Sequence, residues 1–354
     1  MQTRLFAFLA IYPDRGAHAS RVLAMASSTS RTLLEMRTGL GVASTWKACC
    51  SETRQPARET RALPRFSRRA CFLAFLTSAR LAFGYEELAP ASTPAPDKSQ
   101  YTLFNPTPID LRRAYNTDRP SKTDSPFTID AGVFQIESDV ANWTLDYEQG
   151  ARVRTWIVGN TNFKLGLTNS MDLQVFPQFY VNTRTSGPGF GKPVANDGFG
   201  DTTVRLKINL LGNDGGKLVI GLVSSLKIPT NTGHTGNHVW EPGFGLPMNY
   251  SLPWGLTLFA QTRIDILDKP RSSNMRVQWQ NPIGLSRTIV GNLSGYVEFY
   301  DAVSTGRHQP WIGTFDTGLI YQVTPNFSVD VDSFFGLTRS APDYNVFVGF
   351  GRRF

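Results

Sequence analysis

Histidine and serine side chains in the second half of the chain are the residues whose spacing could support hydrolysis. Ser304 precedes His308 by four residues, and Ser294 lies ten residues before Ser304. A serine activated by a histidine attacks esters, so this pair is compatible with a lipid esterase at a membrane rim. No serine of the chain lies in a Gly-x-Ser-x-Gly nucleophile motif. His234 and His238 have the four-residue spacing of helical metal ligands, but their Gly/Asn/Thr-rich surroundings predict a loop. We therefore expect no enzyme, no metal and no cofactor.

Charged and amide side chains form a second set, because they occupy every other position of otherwise apolar segments. Arg205 and Lys207 alternate with Val204, Leu206 and Ile208, for example. A strand shows successive side chains to opposite faces, so one face is polar and the other apolar. If such strands close into a barrel that spans lipid, the polar face lines the lumen. The candidates for lumen-lining residues are Glu137, Asp139, Arg205, Lys207, Lys227, Gln261, Arg263, Asp265, Glu298, Asp330 and Asp332.

The net charge of +8 is a property of the N-terminal quarter of the chain. Met1 to Pro90 carry twelve arginines and one lysine against six acidic residues, so the remainder is almost neutral. A nucleic-acid partner is therefore not indicated. Cys49, Cys50 and Cys71 also lie in this quarter. The cysteine-free remainder excludes a disulfide scaffold or a thiolate metal site and suits export through an oxidising periplasm.

Composition divides the chain into four parts. Residues 1–64 lack periodicity and indicate an unstructured extension or a translation start placed too early. Residues 65–84 join a basic stretch to an apolar run, which is typical of a signal peptide. Residues 85–126 are a Pro-rich linker followed by a lead-in or plug, and residues 127–354 are the predicted barrel. For residues 118–126 two placements stay open, inside the barrel as a plug or outside it in the periplasm.

Twelve strands in six hairpins are predicted from residue 131 to the C-terminus. Five connections are tight turns, such as the Gly/Asn/Asp turn at 212–216, and the other six tend to be longer. Short turns on one side and longer loops on the other are typical of outer-membrane barrels, and an even strand count puts both termini in the periplasm. A soluble sandwich or lipocalin-like barrel is the alternative fold. Strands of ten or more residues are long for a sandwich, and the uncharged face extends along nearly the whole of each strand.

The last strand presents Val346, Val348, Phe350 and Phe354 on one face. A terminal strand of this kind, ending on an aromatic residue, resembles the closing strand of bacterial outer-membrane barrels, where it is the signal for the insertion machinery.

Several motifs resemble the transporter-like barrels named for the meta-cleavage pathway of phenol degradation. They include the lead-in with Asp118, Arg119, Pro120, Lys122, Thr123, Ser125 and Pro126, the stretch Gly198-Phe199-Gly200-Asp201, and the last hairpin from Val329 to Asn345. The resemblance covers residues 117 to 354 and departs from the family pattern at Arg352. It implies an all-β, antiparallel up-and-down barrel in the outer membrane, in contact with its lipids and the insertion machinery. It also implies passive transport of small hydrophobic or aromatic solutes; a structural barrel without transport activity is the other reading.

Overall fold

The computed structural model describes residues 96–148, 150–269, 274–305 and 311–354. The predicted extension and signal-like segment, 1–84, lie outside the described residues, as does His308. No helix of the described residues is both long and apolar enough to cross a membrane.

Fifteen antiparallel strands form one continuous sheet. Their bounds are β1 Phe134–Glu148, β2 Ala151–Thr168, β3 Met171–Phe176, β4 Gln178–Ser186, β5 Val194–Gly198, β6 Thr202–Leu211, β7 Leu218–Ile228, β8 Glu241–Ser251, β9 Leu256–Asp268, β10 Met275–Gln280, β11 Ile283–Val290, β12 Leu293–Ser304, β13 Ile312–Thr324, β14 Phe327–Gly336 and β15 Tyr344–Arg353. The first strand pairs with both β2 and β15, which closes the sheet.

Three pairs of these segments are interrupted single strands, so the closed barrel has 12 strands, as predicted. β3 and β4 flank Pro177 and both pair with β2. β10 and β11 flank the Asn281–Pro282 step and both pair with β9. Proline has no N–H to give to the ladder, so these two breaks fall where a proline stands. β5 and β6 are separated by residues 199–201 and pair with β4 and β3 respectively.

The two ends of the barrel differ in their connections. Four of the five connections on the side of the chain termini have two to four residues, at 169–170, 252–255, 291–292 and 325–326, and the fifth, at 212–217, has six. The opposite side holds the longer connections 187–193, 229–240, 269–274, 305–311 and 337–343. The connection between β1 and β2 was expected among the longer ones but has only two residues, 149–150. The alternation otherwise agrees with a short-turn side and a long-loop side.

Alternation along the strands separates an apolar outer face from a polar inner face. On β14, Val329 and Val331 are 38% and 47% exposed, whereas Asp330 and Asp332 between them are 8% and 1% exposed. The parity changes at two positions: a bulge at Val140 of β1 shifts the register with β15, and Gly159 of β2 has a φ of 68°. On the C-terminal side of Gly159 the even-numbered residues Asn162 and Lys164 of β2 are buried, whereas on its N-terminal side Val153, Thr155 and Ile157 are buried. The buried volume of the barrel is therefore largely polar.

Candidate functional site: the barrel interior and its inner segment

The polar residues expected on the lumen face all lie on the inner face of the strands. Ten of them are buried: Glu137, Asp139, Lys207, Lys227, Gln261, Arg263, Asp265, Glu298, Asp330 and Asp332. The Arg205 side chain is 13% exposed. They do not form a single cluster, because an additional stretch of chain lies between them and contacts different members in turn. We call this stretch, residues 117–129, the inner segment.

Asp118 fixes the start of the inner segment to β1, β2 and β6. Its carboxylate accepts from Lys164, at 2.9 Å, and from Lys207, while its backbone N–H donates to Glu137 at 3.0 Å. Burial alone would raise the pKa of Asp118, but the two ammonium groups hold that pKa well below its usual range. The carboxylate is therefore charged at neutral pH.

Arg119 points to the opposite side and bridges the first and the last hairpins of the barrel. Its guanidinium contacts Asp139 of β1 and lies 2.5 Å from Asp330 of β14. This approach is possible because β15 has a glycine at the crossing point: a Cβ on Gly349 would overlap the guanidinium. The small residues on the inner parity of the last strand thus make room for the inner segment.

Lys122 binds the wall formed by β12, β13 and β14. Its ammonium nitrogen is 2.9 Å from Asp316 and stands between the rings of Tyr300 and Phe334, at 4.5 and 4.3 Å. Glu298 accepts the backbone N–H groups of Lys122 and Thr123 at 2.9 and 3.1 Å. A cation between two aromatic faces and a carboxylate is a favourable arrangement.

Asp124 turns the segment back towards the basic wall. It accepts from Arg205 at 2.8 Å and from Gln261 at 2.9 Å, and Arg263 lies 3.7 Å away. Burial raises its pKa, but Arg205 and Arg263 lower it more, so the net direction is downward. Asn209 then donates to the Pro126 carbonyl at 2.9 Å.

Charges of the inner wall are distributed unevenly among the strands. Acids dominate β12, β13 and β14, where Glu298, Asp316, Asp330 and Asp332 stand, whereas the bases Lys164, Arg205 and Lys207 stand on β2 and β6, with Asp172 of β3 among them. The inner segment matches this division, since Arg119 and Lys122 face acids and Asp118 and Asp124 face bases. Withdrawal of the segment would leave a transverse field across the lumen.

Residues 98–116 lie across the termini side of the barrel before the inner segment begins. Lys98 and Arg113 contact Asp214 in the β6–β7 turn at 2.6 and 2.9 Å, and Leu103 donates to Leu167 of β2 at 2.8 Å. Partial burial raises the pKa of Asp214, but hydrogen bonds from Arg113, Lys98 and Asn169 bring it down to about 2. A cavity of about 440 Å³ lies between this stretch and the barrel.

The long-loop side has a separate polar cluster around Lys227. Its ammonium group pairs with Asp201 at 3.0 Å and with Glu241 at 3.1 Å, and it also contacts Asn237. Asn231 donates to Asp201 at 2.6 Å, so the connection 229–240 folds onto the wall here. Lys227 therefore contributes to the interior near the loops, away from the inner segment.

Sequence reasoning missed several interior residues: Tyr115, Lys164, Asp172, Gln174, Tyr300, Asp316, Phe334 and Phe347. Lys164 and Asp316 follow the same alternation as their neighbours, so the pattern could have found them. Phe347 could not be found in this way, because it stands between Val346 and Val348 in an uninterrupted apolar run. It is 5% exposed and packs on Phe334 with 5.0 Å between ring centroids.

The residues considered for hydrolysis and metal binding are not brought together where the structure describes them. Ser294 lies beside the 291–292 turn at one end of β12, and Ser304 lies at the other end of that strand. His234 and His238 are exposed in the connection 229–240. The part of the chain that the structure describes has no group of three or more metal-ligating side chains.

The C-terminal strand presents the four residues of the expected insertion signal outward. Val346, Val348 and Phe354 are 39%, 42% and 55% exposed, and Phe350 is half-buried. The ring of Phe354 packs on Phe134 at 5.9 Å, beside the point where β1 and β15 close the barrel. Arg352, the residue that departs from the family pattern, lies over the Phe354 ring at 5.2 Å.

A closed twelve-stranded barrel with an apolar outer face, a charged interior and short turns beside its termini defines an outer-membrane, porin-like channel barrel. Among solved structures, the chain is similar to the COG4313 outer membrane channel from Pseudomonas putida F1, with 13% identity, a TM-score of 0.50, and coverage of 68% of this chain and all of that one. It is also similar to the NanC porin, with 9% identity, a TM-score of 0.40 and coverage of 62% and 98%. No curated protein sequence matches the chain.

The model of one protein family matches residues 117–354, the inner segment and the whole barrel. That family is described as "putative MetA-pathway of phenol degradation", and the chain belongs to it. The resemblance predicted from the motifs is thereby confirmed.

Proposed function

We propose that the barrel is a passive channel for small molecules, used for uptake or efflux, and that the inner segment is the plug of its closed state. One observation carries this proposal. Ion pairs and hydrogen bonds dominate the contacts of the inner segment with the interior, and its charged residues Asp118, Arg119, Lys122 and Asp124 each face an opposite charge. Such contacts can be released and re-formed, whereas a filled apolar core cannot be opened without unfolding.

The solutes that we propose are small aromatic molecules with a polar substituent. Buried aromatic rings accompany the charged residues on the inner face, among them Phe259, Tyr296 and Tyr300, and Phe259 and Tyr296 pack edge to face with centroids 6.2 Å apart. Rings of this kind stack on an aromatic solute, and the adjoining carboxylates accept from its hydroxyl or amino group. The description of the family, with its reference to phenol, is consistent with this class.

Two partners complete the proposal. The apolar outer face would contact the lipids of the outer membrane, and the outward residues of β15 would be recognised by the insertion machinery after export through the periplasm. The charged residues of the inner face would line the conducting pathway once the plug is withdrawn.

The test is the current through single refolded proteins in a planar bilayer, with phenol compared with cyclohexanol at equal concentration. Both solutes carry one hydroxyl on a six-membered ring, and only phenol is aromatic. We expect discrete openings that phenol shortens or partly blocks more strongly than cyclohexanol. Equal effects of the two solutes would refute the aromatic preference, while the assignment as a channel would stand. An inserted protein that never opens would refute the channel itself.

A further inference from the structure

Two arginines of β2 lie on the outer face of the barrel near its long-loop side. Arg152 and Arg154 alternate with Ala151, Val153 and Thr155, each of which is 5% exposed and belongs to the inner face at this height. Trp156, two residues further down the strand on the same face as the arginines, is 46% exposed. The parity change at Gly159 is what turns these arginines outward.

A third arginine joins them from the neighbouring strand. Arg184 of β4 is exposed and stands directly opposite Arg154 in the β2–β4 register, and Ser186 is opposite Arg152. Directly opposed like charges destabilise a sheet, and diagonal neighbours are only about 7–8 Å apart. Three guanidinium groups are thus gathered on a small area of the outer face, which we call the arginine patch.

Within the described side chains, no carboxylate forms an ion pair with the arginine patch. Asp197 of β5 is on the same face, opposite Asn182, but has no ion pair with Arg184. The Arg152 guanidinium lies 5.5 Å from the ring centre of Tyr147, and the Nε atoms of Arg152 and Arg154 are inaccessible to water and without a hydrogen-bond partner. The arginine patch therefore carries positive charge that no described carboxylate neutralises.

The position of the arginine patch along the membrane normal indicates which part of the lipid surrounds it. Trp143 and Trp156 pair on the outer face with centroids 6.3 Å apart, and such aromatic pairs mark the edge of the hydrocarbon layer. With a rise of about 3.3 Å per residue and a tilt near 40°, Arg154 stands about 5 Å and Arg152 about 10 Å beyond that edge. The arginine patch is therefore at the level of lipid head groups on the long-loop side, which faces away from the termini.

We propose that Arg152, Arg154 and Arg184 bind the phosphate groups of a phosphorylated glycolipid in the outer leaflet. Guanidinium groups bind phosphate through two parallel charge-assisted hydrogen bonds, which lysine cannot reproduce with the same geometry. A phosphate between the strands relieves the repulsion of Arg154 and Arg184 and accepts from their accessible guanidinium N–H groups. The acyl chains of the same lipid lie against the exposed aromatic side chains below, such as Trp156 and Tyr180.

The test uses the full chain in detergent and native mass spectrometry with a bis-phosphorylated diglucosamine lipid. The matched probe is the same lipid after enzymatic removal of its phosphates, so that the acyl chains are unchanged. The variants are Arg152→Ala/Arg154→Ala/Arg184→Ala, the same three positions changed to Lys, and Arg287→Ala. Arg287 is an exposed arginine of β11 beside the short turn at the other rim, and it is therefore the control.

We expect the triple Ala variant to weaken binding of the phosphorylated lipid at least about tenfold, as the loss of charge-assisted hydrogen bonds implies. The triple Lys variant should bind with intermediate affinity, and Arg287→Ala should bind like the wild type. The wild type and all variants should bind the dephosphorylated lipid equally. Equal binding of both lipids by the wild type would overturn the proposal without reference to any variant, as would a triple Ala variant that folds and retains the lipid. Displacement by millimolar inorganic phosphate would overturn the assignment to a lipid.

Discussion

Arg119→Ala tests whether ion pairs hold the inner segment in the barrel. In the wild type, the guanidinium satisfies Asp139 and Asp330, whose side chains are 6% and 3% exposed. The variant leaves both carboxylates buried beside an empty space for as long as the segment stays in place. When the segment withdraws, water reaches them in wild type and variant alike. The substitution therefore destabilises the closed state selectively.

The magnitude follows from the cost of leaving a buried charge without its partner, about 3–5 kcal/mol. Asn142 and Asn160 also donate to Asp139, at 2.9 and 3.2 Å, so the lower end of this range applies. Because each 1.4 kcal/mol is a factor of ten, the population with the segment withdrawn should rise about a hundredfold.

Thiol accessibility measures that population. Ser121→Cys places a thiol in the middle of the inner segment, in a chain whose own cysteines, Cys49, Cys50 and Cys71, are changed to Ser. The rate of modification by a charged methanethiosulfonate reports the fraction of time that the segment is withdrawn. We expect Arg119→Ala to raise this rate about a hundredfold. Arg112→Ala is the control, because Arg112 donates to the main-chain oxygens of Thr107 and Phe354, at 3.3 and 3.4 Å, and both of these residues lie outside the inner segment.

A triple variant separates the effect of charge from that of lost packing. When Asp139→Asn and Asp330→Asn are combined with Arg119→Ala, no unpaired charge remains, so the modification rate should return towards that of the wild type. Equal rates in wild type and Arg119→Ala, within a factor of two, would refute the reasoning. So would a combined variant as fast as Arg119→Ala alone, since lost packing would then explain the change.

Three further outcomes are expected. Val331→Arg, in the middle of the outer face of β14, should destabilise the refolded barrel by about 2–4 kcal/mol in urea titrations in lipid, whereas Val323→Arg beside the short turn should cost about 0–1; equal costs would contradict the assigned membrane depth. Asp214→Asn should speed proteolysis of residues 98–116 at pH 7. Because folding lowers the pKa of Asp214 to about 2, the stabilisation by its carboxylate is present above the usual pKa near 3.8 and is lost as the pH falls through 2. Proteolysis of this stretch in the wild type that already accelerates at pH 6 would contradict this role. Gly349→Val should displace the Arg119 guanidinium and raise the Ser121→Cys modification rate while heat-modifiable gel migration stays normal; a wild-type rate would show that the crossing is not tight.

The strands could be predicted because each residue of a membrane-spanning strand faces either lipid or the interior, and that environment restricts its type independently of residues far away in the sequence. Val329, Asp330, Val331 and Asp332 follow a strict alternation, since a charge on the lipid face is costly and water or counter-charges are available on the other. The same reasoning identified the polar residues of the inner face. The alternation does not carry across Gly159, where the parity of β2 changes and Arg152 and Arg154 turn outward, and it does not reveal Phe347, which is flanked by apolar residues.

The contacts of the inner segment could not be predicted from local pattern. Asp118 and Lys207 are 89 residues apart, and Arg119 and Asp330 are 211 apart. Nothing in the neighbourhood of either partner specifies the other, so both placements of residues 118–126 stayed open at the level of sequence. The contacts of the segment lie inside the barrel, where Asp118, Arg119, Lys122 and Asp124 each face a residue of opposite charge.

The current through single copies of the full chain in a planar bilayer tests the channel assignment most directly, with insertion verified by heat-modifiable gel migration. The account predicts discrete openings for the wild type and more frequent, longer openings for Arg119→Ala at the same voltage and salt. Inserted barrels that are silent in both forms would contradict it. Openings that are identical in both forms would retain the channel and refute the inner segment as its plug.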